Sequence, residues 1–253
     1  MTSGESENPA SQVTIPAGRV TPVAGVWHTL LFIFIMLGLA VLQGQPQLSK
    51  GVQLPGRIIL YLSTVIYEFL LLGYVWLFGL RRYRVTLGEI IGGKWLRWRD
   101  FWQDIGIALM FWIVVVAVLV VLSLSLQFSG LESAKFLLPQ TTLELGVFLV
   151  LVCSAGFCEE VIFRGYLQRQ FTAWTGNVPA GIALQAVVFG AAHLYQGGKA
   201  VFVLSIYGGM FGILAAMRQS LRPGIIQHTA QDAMSGIAGL FLRKYQYLQI
   251  IKF

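Results

Sequence analysis

Charge is what this sequence has least of. Asp, Glu, Lys and Arg make up 11% of its 253 residues, against 56% hydrophobic, and mean hydropathy is +0.71. A soluble domain carries about 25% charged residues, so a soluble globular class is excluded and a polytopic membrane protein expected. Cysteine is nearly absent. Cys153 and Cys158 stand alone, and five residues apart on a helix they point about 140° away from each other. That spacing excludes an intrachain disulfide and suits small apolar fillers better than metal ligands. The sequence also has no HExxH, no GxSG (Ser235 sits in AMSG) and no paired GxGD, which removes the usual zinc, serine and aspartate signatures of hydrolysis within a membrane. It has no repeat and no low-complexity tract.

Eighteen basic against 11 acidic residues give a net charge of +7. Because the basic residues gather at the ends of apolar runs, they mark membrane topology and not nucleic-acid binding. Runs near the roughly 20 residues needed to span a bilayer fall at about 24–42, 58–80, 104–126, 142–163, 178–195, 200–217 and 224–242. The expected fold class is all-α, a bundle of seven transmembrane helices, or eight if one further element crosses. Residues 1–22 read as a polar disordered tail. Residues 23–141 form a three-helix front region containing the basic, aromatic loop 81–103, expected along a cytoplasmic interface. Residues 142–242 form a helical core, and 243–253 a tail. With the loop inside, the amino terminus is inside too, although Arg243, Lys244 and Lys252 then fall on the outer side.

Ionisable groups within spans cost roughly 2.5–3.5 kcal/mol each on insertion scales, so each is a functional candidate. His28, Glu68 and Glu144 are single polar residues of the kind that reach headgroups or a neighbour. The stretch CEEVIFRG at 158–165 is different. Glu160 and Arg164, four apart, share a helix face and can pair. Glu159, turned about 100° away, is not committed to that arginine and is free to act as a base. The turn signal TGNVP at 175–179 folds the fourth and fifth helices into a hairpin. Glu160 lies 16 residues before Gly176 and His193 lies 16 after Asn177, so the glutamates and His193 come to one height if the fourth helix continues through YLQRQFTAW. In IIQHTAQDAM, His228 and Asp232 share a face, as a core pair or as part of a hydrolytic site. Gly208, Gly209 and Gly212 leave the intervening helix small on one side.

EEVIFR (Glu159 to Arg164), FGAAH (Phe189 to His193) and HTAQD (His228 to Asp232) resemble the EExxxR, FxxxH and HxxxN/D motifs of the CPBP intramembrane proteases. That family includes the type II CAAX prenyl endopeptidases and the Abi-type bacteriocin-processing or immunity proteins, and the resemblance covers about residues 142–242. It implies peptide hydrolysis within the membrane, with Glu159 and His193 activating a water and His228 and Asp232 stabilising the oxyanion. Glu160, Arg164 and Phe189 would support them. An ionised aspartate cannot donate a hydrogen bond, so Asp232 would orient His228 and the imidazole would donate. No cofactor is expected; if zinc takes part, Glu159, His193 and His228 would be its ligands. The implied partners are the bilayer and a peptide or membrane-protein substrate, prenylated or not, and the implied location is a bacterial cytoplasmic membrane. A non-catalytic scaffold or immunity protein and a proton-coupled transporter are the competing functions, the latter disfavoured by the lack of inverted repeats. One difficulty is depth, since His193 and His228 flank opposite ends of the sixth span.

Overall fold

The structure is a computed structural model and describes residues 21–43, 56–130 and 134–251, with side chains up to Phe241. Among the described residues it is helical throughout. The helices are α1 (Val26–Gln43), α2 (Arg57–Leu80), a short α3 (Leu87–Ile91), α4 (Trp98–Leu126), α5 (Thr142–Thr175), α6 (Val178–Ala192), α7 (Gly198–Arg218) and α8 (Arg222–Ile251). The all-α membrane bundle expected from the sequence is what is found.

The bundle is organised around α5. This helix has 34 residues because nothing interrupts it until Gly176, whose φ of +65° closes it with a left-handed cap that glycine adopts without strain. Asn177 then caps α6, its side chain accepting from the Ala180 amide at 2.9 Å, and Pro179 sits in the first turn where its missing N–H is not needed. The chain therefore reverses, and α6 runs antiparallel to the second half of α5, with Gly181 against Thr172 and Phe189 against Phe163. α7 returns beside α6, with Gly190 close to Ser205. α8 then runs antiparallel to the first half of α5, so that Gly156 meets Thr229 and Gly236 meets Phe148. α2 covers the other flank of α5 through Tyr61 on Phe148. α1 is tied to α5 by Gln170, which accepts from the amides of Val23 and Ala24 and donates to the Ala24 carbonyl.

Four helices, α2, α4, α5 and α7, are long and apolar enough to cross a membrane, where the sequence led us to expect seven. α1 and α6 are apolar but shorter. α8 has 30 residues, yet it opens on Arg222 and carries His228 and Asp232. α6 and α8 also turn polar groups inward, Gln185 on the first and Gln227 and His228 on the second. α8 also continues to Ile251, past the expected end at 242. Residues 1–20, most of the expected tail, lie outside the described residues.

The basic loop is more than an interfacial strap. Ile90 of α3 is fully buried, and the Ile91 carbonyl accepts from the Leu221 amide at 2.9 Å and the Ser220 hydroxyl at 3.0 Å. Gly92 makes this approach possible: its φ is +101°, and a Cβ there would press into Ser220. Asp104, nearly buried at the start of α4, pairs with Arg222 at 2.9 Å and accepts from Trp95 Nε1 at 2.8 Å. The loop thereby pins the turn that launches α8. Leu96, Trp98 and Trp102 remain exposed beside it.

Close backbone approach between α5 and α8 depends on small residues, as is usual between membrane helices. A Cβ on Gly156 would overlap the Thr229 side chain and approach its amide nitrogen to 3.0 Å, whereas nothing lies within 4 Å of one on Gly146. Gly156→Val is expected to lower the thermal midpoint in detergent by the equivalent of about 1–3 kcal/mol, the usual scale of overpacking. Gly146→Ala is expected to leave it unchanged, and equal midpoints for the two variants would contradict this packing.

Candidate active site

Midway along α5 the backbone changes pitch. Thr142–Glu159 is α-helical, and Glu160–Leu167 is π-helical, with the Gln168 amide reaching back five residues to the Phe163 carbonyl. All eight π-helical residues are buried. Such widened turns concentrate at functional positions because they alter which side chains face the same way. The change falls between the two glutamates; Glu160 lies in the core, while Glu159 keeps a side chain one-fifth exposed.

Glu160 is the centre of a buried ionic cluster. Its Oε1 lies 3.0 Å from Arg164 Nη1 and 3.1 Å from His228 Nδ1. A carboxylate oxygen only accepts, so the histidine donates from Nδ1. Arg164, fully buried, also donates from Nη2 to the Gly208 carbonyl at 3.2 Å, and its guanidinium lies over Phe189 at 4.5 Å and Phe211 at 5.0 Å. Gln185 donates to the same carbonyl at 2.9 Å. A charge removed from water must be paired and hydrogen-bonded, or it costs several kcal/mol. The ion-paired carboxylate, the carbonyl on Nη2 and the aromatic faces offset that cost in part, while Nε and Nη1 take no hydrogen-bond partner among the described residues.

The far side of the His228 ring faces the remaining acids. Its Nε2 lies 3.8 Å from Glu159 Oε2 and 3.6 Å from Asp232 Oδ2, both too long for hydrogen bonds. Glu159 Oε2 is buried and takes no hydrogen bond from any described residue. His193 caps α6, and its Nδ1 lies 2.8 Å from the Phe189 carbonyl. The carbonyl can only accept, so Nδ1 carries the hydrogen and Nε2 points elsewhere. The ring packs on Phe189 at 4.7 Å between centroids, and Phe189 in turn packs on His228 at 6.5 Å. Phe189 is thus the wall shared by both histidines and Arg164.

The structure therefore gathers Glu159, Glu160, Arg164, His228 and Asp232 directly and places His193 across Phe189 from them. The depth difficulty disappears because α8 starts next to the turn held by Ile91, well inside the bundle. His228, in its second turn, is then level with Glu160. One expectation changes: the carboxylate that holds Nδ1 of His228 is Glu160, 68 residues away, and not Asp232 on the same helix.

Sequence reasoning passed over two groups. Glu68 is 7% exposed, and Ser154 Oγ donates to its Oε2 at 2.6 Å; its place eleven residues into α2, far from either end, was the available signal. Asp104 stood at the edge of an apolar run and drew no attention. His28 and Glu144 have the neighbours anticipated for them. His28 Nδ1 lies 2.9 Å from the Tyr166 hydroxyl, and Glu144 accepts from the Gln140 amide.

Among the described residues no three His, Cys, Asp or Glu side chains are placed to hold a metal ion. Nδ1 of His193 and of His228 is each committed to an oxygen of the protein, which leaves Nε2 as the free nitrogen of both rings.

Fold and site together define a helical membrane protein with a carboxylate–histidine cluster inside the bundle. The family model for Rce1-like, described as Type II CAAX prenyl endopeptidase Rce1-like, matches residues 141–234. That region, which contains the whole cluster, is similar to this CAAX protease family. No curated protein and no solved structure gives a match.

The ionic cluster sets an expectation for stability. Glu160→Leu would strip both Arg164 and His228 of their shared carboxylate, and breaking a buried pair from one side costs about 3–5 kcal/mol. A marked drop in thermal midpoint is expected. Glu159→Gln, which removes no hydrogen bond given by a described residue, should stay within about 1 kcal/mol of wild type.

Proposed function

We propose that the protein is an intramembrane endopeptidase that hydrolyses a peptide bond in a membrane-associated substrate, prenylated at a CAAX-type tail or not. The observation that carries this reading is the free Glu159 oxygen, buried and uncommitted beside His228 and Asp232. A carboxylate in that state can accept a proton from water. His193, whose Nδ1–H is spent on Phe189, has Nε2 available to accept from the same water. Proton loss to Glu159 leaves a hydroxide that attacks the scissile carbonyl. The proton is then returned from Glu159 to the leaving amine.

The developing oxyanion needs a donor that does not have to move. His228 is fixed by its Nδ1–H to Glu160, and with both nitrogens protonated it would aim its Nε2–H at that oxygen. Asp232, on the same side of the ring, balances that positive charge and donates nothing itself. Arg164 acts one step back, by holding Glu160. No step is routed through a metal. The setting proposed for the reaction is a bacterial cytoplasmic membrane with the amino terminus inside. A non-catalytic binding role would need only the shape of the bundle and leaves the free Glu159 oxygen without a purpose.

The test is cleavage, in detergent or liposomes, of a quenched fluorescent peptide with a farnesylated CAAX-type tail and of an unmodified apolar peptide. Glu159→Ala and His193→Ala are each expected to lower kcat by about 10²–10⁴-fold, the range for losing a general base. Equal cleavage by wild type and both variants would sink the proposal. Addition of a chelator is expected to leave the rate unchanged, and loss of activity restored by zinc would replace this mechanism with a metal-dependent one.

A further inference from the structure

The loop between α2 and α4 presents an aromatic and basic surface that the candidate active site does not use. Trp95, Trp98 and Trp102 gather around Phe101, their ring centroids 5.3, 5.7 and 5.4 Å from it. Even so packed, Trp98 is 77% exposed and Trp102 62%, and Leu96 beside them is 87% exposed. Lys94, Arg97 and Arg99 are interleaved with these residues and are exposed as well. Arg97 pairs with Asp100 at 3.1 Å and still keeps 68% of its side chain exposed. Across residues 81–103 six basic residues stand against the two acids Glu89 and Asp100, which leaves +4.

Position supplies the partner. α2 ends at Leu80 and α4 begins at Trp98, and both are long and apolar enough to cross a membrane. The patch between them therefore lies where hydrocarbon gives way to headgroups, the level at which Trp and Arg side chains are accommodated. Aromatic rings suit any headgroup, but a surplus of positive charge discriminates. Each basic residue held near an anionic lipid surface favours contact by about fivefold, an advantage that a zwitterionic surface does not give. We propose that residues 94–102 form a docking surface for anionic phospholipid headgroups, and that lipid bound there steadies the start of α8. The link is Trp95. It belongs to the patch through Phe101, and its Nε1 donates to Asp104 Oδ2 at 2.8 Å. The Arg222 guanidinium lies over the Trp95 ring at 5.4 Å and pairs with Asp104 at 2.9 Å. Arg222 opens α8, and His228 follows in its second turn. Headgroups that order the patch thus order the indole on which Arg222 rests. Neither step depends on peptide hydrolysis.

The experiment places the full chain in phosphatidylcholine vesicles with and without phosphatidylglycerol. The ratio of tryptophan quenching by brominated phosphatidylglycerol to that by brominated phosphatidylcholine reads the lipid preference, and the thermal midpoint reads stability. Wild type is expected to prefer the anionic lipid. The combined variant Lys94→Gln, Arg97→Gln, Arg99→Gln is expected to lose that preference, by up to about fivefold for each charge removed. Added salt should weaken the wild-type preference, since exposed charges are screened. Phosphatidylglycerol should also raise the wild-type midpoint by about 2–4 °C, the shift that a stabilisation of this size produces in a chain of this length. Trp95→Leu keeps the basic residues and removes the link, so it should retain the preference and lose the rise. Equal quenching by the two lipids in wild type, or an unchanged preference in the combined variant, overturns the docking surface. A rise that survives in Trp95→Leu overturns the coupling to α8. A rise reproduced by inorganic phosphate in pure phosphatidylcholine makes the ligand a free anion and refutes the lipid assignment. Where the combined variant fails to fold, Arg97→Gln and Arg99→Gln are read singly, and a preference unchanged in both counts against the surface in the same way.

Discussion

The arrangement depends on one carboxylate oxygen. Glu160 Oε1 is ion-paired with Arg164 on its own helix and accepts from His228 on the antiparallel helix α8, and a buried charge this far from water persists only with such partners. Everything else at the site follows from that demand. Arg164 must be held in turn, hence the Gly208 carbonyl and the two aromatic faces. His228 must meet Glu160, hence the close crossing of α5 and α8 at Gly156. The ring so fixed leaves Nε2 facing Glu159.

Two adjacent glutamates thus acquire opposite characters. The change from α to π pitch falls between them; one lies in the core, and the other has an oxygen with no hydrogen-bond partner among the described residues. A regular helix would have kept Glu160 and Arg164 in register just as well. The wider turn additionally lets the whole segment from Val161 to Leu167 pack inward. Support for α8 comes from further off, through the Asp104–Arg222 pair and the Ile91 carbonyl, so the basic loop contributes to the site while lying outside it.

Much of this was legible in the sequence. Hydropathy located the helices, because the absence of water forces backbone groups to pair within each one. The spacing of four predicted the pairing of Glu160 and Arg164, since residues four apart meet on any helix. TGNVP predicted the hairpin, because glycine and asparagine are the residues that end and start helices. Where the reading fell short, the partners were far apart in the chain. Glu160 with His228 and Glu68 with Ser154 are separated by 68 and 86 residues, and periodicity says nothing about which helix a face will meet.

The sequence by itself determined that this chain is a membrane bundle and which side chains were too costly to be buried without a purpose. Those conclusions rest on local physics: transfer free energies, helical spacing and turn chemistry. Only the tertiary structure decided which acid holds His228, which is left free beside it, and that Glu68 meets Ser154. Those outcomes depend on the rotation and height of one helix against another, and such quantities are fixed by packing many residues at once, through contacts such as Gly156 on Thr229 that no single segment contains.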